Sequence, residues 1–226
     1  MTVTRPTALL LALALGWASH ASGQTAPSPI EVAPPDAPAD SASAGAREWT
    51  FSAVLSIYQV PDDRIYGQPT MMADRDRLHL EARFNYEDIK AGSAWVGYNL
   101  GGGEKVAWEL TPLFGVVFGS VAAVAPGYRG SVSWRRLNLS SEGEYVFGSK
   151  DEEERFFYNW SELTVAPADW WRIGLVTQRT RAYAADRDIQ RGILAGFSHR
   201  DIDAAIYLLN PDDGAPIVVA AVTLAF

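Results

Sequence analysis

The amino-acid sequence predicts an all-β chain, an antiparallel transmembrane β-barrel of about twelve strands with ten as the alternative. Three observations predict it. Short segments alternate polar and apolar residues and are broken by turn-forming residues. Beyond the N-terminal region, no apolar run reaches the roughly 20 residues that a spanning helix needs. Eight Trp, nine Tyr and nine Phe coexist with a mean hydropathy of −0.05, as expected where apolar and polar faces cancel in any average.

Residues 1–23 read as a secretory signal peptide. Arg5 supplies a sparse positive region, Ala8 to Leu15 an apolar run, and Ala21 and Gly23 the small residues before a cleavage at Gln24. The run is too short to anchor the chain as a spanning helix. With no Cys anywhere, lipoprotein anchoring, disulfides and thiolate metal sites are excluded. Residues 24–46 are rich in Pro, Ala, Ser and Asp (Pro27, Pro29, Pro34, Pro35, Pro38) and offer almost nothing to bury. They are expected to be a disordered periplasmic linker, because such a composition cannot offset the entropy of ordering. The barrel then occupies residues 47–226. Net charge is −8, and more negative once Arg5 leaves with the signal peptide, which argues against nucleic acid as a partner.

The expected strands are Glu48–Val60, Tyr66–Ala73, Arg77–Glu87, Ala91–Leu100, Lys105–Val117, Tyr128–Leu139, Ser141–Phe147, Arg155–Val165, Trp170–Thr180, Ile189–Ser198, Ile202–Leu209 and Ala215–Phe226. Most approach the ~9–11 residues that cross a bilayer at a tilt. Tyr66–Ala73 carries Pro69 and is the weakest of them. Short connections alternate with longer ones, the pattern of periplasmic turns and outer loops. The apolar connection Phe118–Gly127 is expected to fold into the barrel mouth, with packing on another protein as the alternative. Asp62, Asp63, Asp151 to Glu154, Asp186, Asp188, Asp212 and Asp213 place acid on the outer rim, where such runs are solvated or bridge lipopolysaccharide through divalent ions.

Side chains two apart share a face on a strand, so each segment can be sorted into a lipid row and a lumen row. The third strand sorts most clearly. Arg77, His79, Glu81, Arg83 and Asn85 lie on one side, with Leu78, Leu80, Ala82, Phe84 and Tyr86 on the other. A bilayer tolerates only the charged row inside. The same test places Glu109, Arg135, Glu142, Glu144, Glu162, Arg172 and Asp203 in the lumen. Trp49, Trp95, Trp170 and Trp171 fall near strand ends and are expected in aromatic girdles.

The last ten residues, Ile217 to Phe226, are rich in β-branched residues and free of charge. Val222, Leu224 and the terminal Phe226 share one face. This segment resembles the C-terminal β-signal of Gram-negative outer-membrane barrels, the closing strand read by the barrel-assembly machinery. The resemblance spans residues 47–226 and implies an outer-membrane location, a periplasmic N-terminal tail, and contact with outer-membrane lipid and lipopolysaccharide. It identifies no family within that class and carries over no substrate residues.

The balanced lumen charges admit two readings. Arg–carboxylate pairs brace the wall and plug the interior, or opposed charge rows flank a path for small polar solutes. The sequence is read as a narrow porin-like pore, with a closed barrel of structural or interaction role as the alternative. An outer-membrane lipid hydrolase trails, and no enzyme activity is expected. Ser198 and His199 are adjacent and point to opposite faces, and His79 has no Ser two residues on. No catalytic, cofactor or metal residues are assigned, since no two histidines are spaced to share an ion. A soluble lipocalin-like barrel would need the apolar rows inside and Arg77 to Arg83 on the surface.

Overall fold

The computed structural model describes residues 48–61, 65–148, 155–182 and 188–226. The expected signal peptide and linker lie outside them, as do the acidic positions 62, 63, 151–154 and 186. Twelve strands form one antiparallel sheet. They are β1 (Thr50–Gln59), β2 (Ile65–Arg75), β3 (Leu78–Phe84) and β4 (Ala91–Tyr98, resumed at Leu100–Gly102). Next come β5 (Ala107–Gly119), β6 (Ala123–Trp134), β7 (Leu137–Gly148) and β8 (Phe156–Ala168). The last are β9 (Trp171–Ala182), β10 (Asp188–His199), β11 (Ile202–Leu209) and β12 (Ile217–Ala225). Each strand pairs with its sequence neighbours, and β1 pairs with β12, which closes the sheet. Closure leaves no open edge, the condition for a sheet to stand in hydrocarbon. No helix among the described residues is long and apolar enough to cross a membrane.

At the end that carries the termini, tight turns join the hairpins. Asp76, Arg135 and Arg200 lead three of them with φ of 56°, 55° and 55°. The turn Arg135–Arg136 corrects the expected β6–β7 boundary at Ser140. The expected loop Phe118–Gly127 is also corrected: β5 runs to Gly119 and β6 starts at Ala123, so only Ser120–Ala122 connects them. The apolar residues of that stretch are a strand, with Val124 outward and Ala123 and Ala125 buried. Pro69 sits within β2, opposite Leu55, so the strand with the weakest sequence signal is present.

The outward rows are apolar and exposed: Leu55 46%, Phe114 51%, Ile193 52% and Ile206 61% are typical. Exposed apolar rows on this scale need lipid against them, which removes the soluble barrel with apolar rows inside. The inward rows are not simply polar. Two hydrophobic clusters fill much of the interior. One gathers Val54, Tyr58, Tyr158, Trp160, Tyr207 and Val219, and the other Trp95, Leu113, Val117, Ala125 and Val146. Trp95, expected in a girdle, is thus a lumen residue. Tyr86, expected toward lipid, is also buried inside. Asn85 explains it: φ there is 57°, the strand alternation ends at Phe84, and the following side chains swing inward.

Candidate functional site: the barrel lumen

A chain of charged side chains crosses the lumen between the two apolar clusters. Arg83 on β3 donates from Nε to Glu81 Oε1 at 2.6 Å and from Nη1 to Glu144 Oε2 at 2.8 Å. Glu144 is on β7, so this second bond spans the interior over three intervening strands. Arg129 on β6 donates from Nη2 to the same Glu81 oxygen at 2.9 Å, and its Nε lies 3.3 Å from Glu142. The hydroxyl of Tyr86 donates to Glu142 at 3.1 Å. The guanidinium of Arg83 lies 4.2 Å from the ring centroids of both Tyr86 and Trp95, so aromatic faces complete its enclosure. Glu81, Arg83, Arg129, Glu142 and Glu144 are each no more than 6% exposed. At this height the lumen is closed by side chains.

Toward the end that carries the termini the interior widens into a cavity of about 350 Å³. His79 lines it, with Nδ1 2.8 Å from Asp74 and Nε2 3.3 Å from Glu81. Asp74 also accepts from Asn99 at 2.7 Å, and Asn99 accepts from Thr111 at 2.7 Å. Glu109 and Arg129 line the same space. Elsewhere in the lumen Arg172 pairs with both oxygens of Asp203, at 2.5 and 2.8 Å, and Ser198 donates to Asp203 at 2.6 Å. Glu162 accepts from the Trp160 indole at 2.8 Å.

Of the residues assigned to the lumen from sequence, the structure brings His79, Glu81, Arg83, Glu142 and Glu144 into one network, with Glu109 on the cavity wall. Arg172 and Asp203 form a separate pair, and Glu162 stands apart with Trp160. Arg77 and Arg135 are corrected. Both sit in exposed turns: Arg77 donates to the hydroxyl of Tyr98, and Arg135 lies over the Trp134 ring. Parity extends a row past the last strand residue, and a turn breaks it. Arg129, not assigned to the lumen from sequence although it lies in the expected strand Tyr128–Leu139 at the parity of Arg135, is a central member of the network. Val222 and Leu224 face outward, and Phe226 bonds Phe51 in both directions at 3.0 and 2.9 Å. Ser198 faces inward to Arg172 and Asp203, whereas the His199 ring stacks on Phe197 outside.

Acids outnumber bases in the crossing network. Two guanidiniums, Arg83 and Arg129, face Glu81, Glu142 and Glu144, and buried Glu87 lies close by. No family model and no curated protein matches this chain. Solved structures do. A KdgM porin superposes with a TM-score of 0.55 at 11% identity, over 77% of this chain and 99% of that one. A KdgM porin in complex with disordered oligogalacturonate gives 0.55 at 10% identity, over 78% and 99%. The Acinetobacter baumannii outer membrane protein Omp33 gives 0.42 at 12% identity, over 80% and 98%.

Proposed function

We propose that this chain, an outer-membrane β-barrel with a porin fold, is a narrow pore for small polar solutes that rests closed and favours cations when open. The carrying observation is the acid-rich network that crosses the lumen beyond a polar vestibule. Among the described residues its closure rests on side chains and not on a plug of folded chain, so rotamer changes of Arg83 and Arg129 open a path. The termini then face the periplasm and the longer connections the outside, with lipopolysaccharide around the outer rim and the barrel-assembly machinery acting during biogenesis. Oligogalacturonate, held by the KdgM porin, is a polyanion and does not suit a lining with surplus carboxylate.

A second reading, a permanently closed barrel with a structural or interaction role, is favoured by one observation. Tyr58, Tyr158 and Tyr207 are fully buried, and the aromatic cluster around them fills one side of the lumen.

Single-channel recording of the refolded full chain in planar bilayers separates the two. The pore predicts small, infrequent, cation-selective steps, with longer openings in Arg83→Gln and weaker cation preference in Glu144→Gln. Silence from demonstrably folded wild type and from Arg83→Gln and Arg129→Gln alike overturns the pore in favour of the closed barrel.

A further inference from the structure

His79 is clamped between two carboxylates. Its Nδ1 lies 2.8 Å from Asp74 Oδ1 and its Nε2 3.3 Å from Glu81 Oε2, and the residue is 5% exposed. A neutral imidazole carries one N–H, so in either tautomer its second nitrogen would turn a lone pair toward a carboxylate oxygen. Both contacts are attractive when both nitrogens carry protons. Asp74 Oδ1 also accepts from Asn99 at 2.7 Å, and Glu81 Oε1 accepts from Arg83 and Arg129 at 2.6 and 2.9 Å. Each carboxylate is thus engaged by other donors, which leaves the ring as the place for the additional proton.

Few charged groups face this ring. Asp74 reaches it from β2, Glu81 stands beside it on β3 and Arg129 approaches from β6, while Glu109 on β5 lines the same vestibule. Among the described residues, the other strands lining that vestibule present hydroxyl, amide and apolar groups. Because His79 is itself part of the vestibule wall, water can carry protons to it. The link to the closed lumen runs through Glu81. Its Oε1 is the common acceptor of both guanidiniums that cross the interior, and its Oε2 faces His79. Loss of the second ring proton sets a lone pair against Oε2, and a carboxylate that turns away from it takes the anchor of Arg83 and Arg129 with it.

We propose that His79 is a proton-operated latch of the lumen. As an imidazolium it fixes Glu81, and with it Arg83 and Arg129, in the closed arrangement; loss of the ring proton releases them. The opening that the latch controls rests on the pore reading above, whereas the coupling of the His79 proton to Arg83 does not. The sign follows from the geometry. Protonation adds a donor at Oε2 and holds the network together, so low pH keeps the lumen closed. Deprotonation removes that donor and leaves the lining one charge more negative, so rising pH frees the guanidiniums. His199, whose ring stacks on Phe197 outside, takes no part.

Two measurements on the refolded full chain, from about pH 5 to 9, test the latch. With isotope-labelled histidine and arginine in micelles, NMR should show His79 passing from two protonated ring nitrogens to one. The Arg83 Nε–H resonance should shift with the same midpoint. In planar bilayers the open probability should rise roughly tenfold or more over that step, the worth of one charge-assisted hydrogen bond. His79→Gln should lose the step and open as often in acid as the wild type does in alkali. Asp74→Asn should move the step to lower pH, and His199→Gln should leave it in place. A single ring proton on His79 throughout, an Arg83 signal indifferent to the step, or a pH dependence that survives His79→Gln overturns the latch. A folded chain that never conducts, yet whose Arg83 signal follows His79, supports the latch and overturns the pore.

Discussion

The indole of Trp95 occupies the space that the missing side chain of Gly115 leaves on the neighbouring strand. The two are register partners, and a Cβ at Gly115 would stand 2.3 Å from the ring. Trp95 in turn is one of the two aromatic faces that enclose Arg83. The lumen network thus depends on a glycine that touches none of its charges.

Gly115→Ala is expected to displace Trp95 and to destabilise the barrel by roughly 1–3 kcal/mol, the range for overpacking a filled interior. Urea unfolding from lipid vesicles, followed by tryptophan fluorescence, measures it. Gly214→Ala meets nothing within 4 Å and should leave the midpoint in place.

Arg83 and Glu144 make a second test, in which the order of effects matters more than their size. Arg83→Met strands Glu144, whose hydrogen bond in this network comes from Arg83, and should cost about 3–5 kcal/mol. Adding Glu144→Met removes the stranded charge, so the double variant should be more stable than Arg83→Met alone. A double variant less stable than either single one would show that the bridge does not set the energetics here.

Phe226 holds the seam between the first and last strands through two backbone bonds to Phe51, with the rings stacked at 6.0 Å. Deleting Phe226 should lower the folded, heat-modifiable fraction recovered from membranes. Phe226→Ala should lower it less, because the backbone bonds survive. Equal yields for all three chains would remove Phe226 from barrel closure.

Asp212, on the connection between β11 and β12 outside the membrane span, accepts at 2.6 Å from the guanidinium of Arg191 at the rim end of β10, which holds its carboxyl below the usual range. A depressed carboxylate stabilises above its unfolded pKa and loses that contribution as pH falls through the folded one. Arg191→Gln should therefore raise the Asp212 titration seen by NMR in micelles. Both partners are well exposed, so unfolding at neutral pH should not change measurably.

The strands with strong charge alternation were legible from sequence. On β3 and β7, His79, Glu81, Arg83, Glu142 and Glu144 sort inward on parity alone, because no other placement survives a bilayer. Where the inward row is small or aromatic the same rule fails. Ala123, Ala125 and Gly127 conceal the first half of the strand that carries Arg129. Trp95 and Tyr86 look like lipid-facing residues because an aromatic ring suits either side of this wall. Arg77 and Arg135 show the complementary error, since alternation carries no mark of where a strand gives way to a turn.

Eleven of the twelve contacts that make this wall join strands adjacent in sequence, and the remaining one joins β1 to β12. Hairpins form over short loops and lose little chain entropy in closing. The β1–β12 seam must bring together Ser52 and Ala225, so nearly the whole entropic cost of circular closure falls on one line of hydrogen bonds. Until that line forms, both strands expose unpaired backbone in a medium that cannot solvate it. Folding is accordingly decided late and at one place, and the slow step should respond to substitutions along β1 and β12 far more than to equal changes in any hairpin between them.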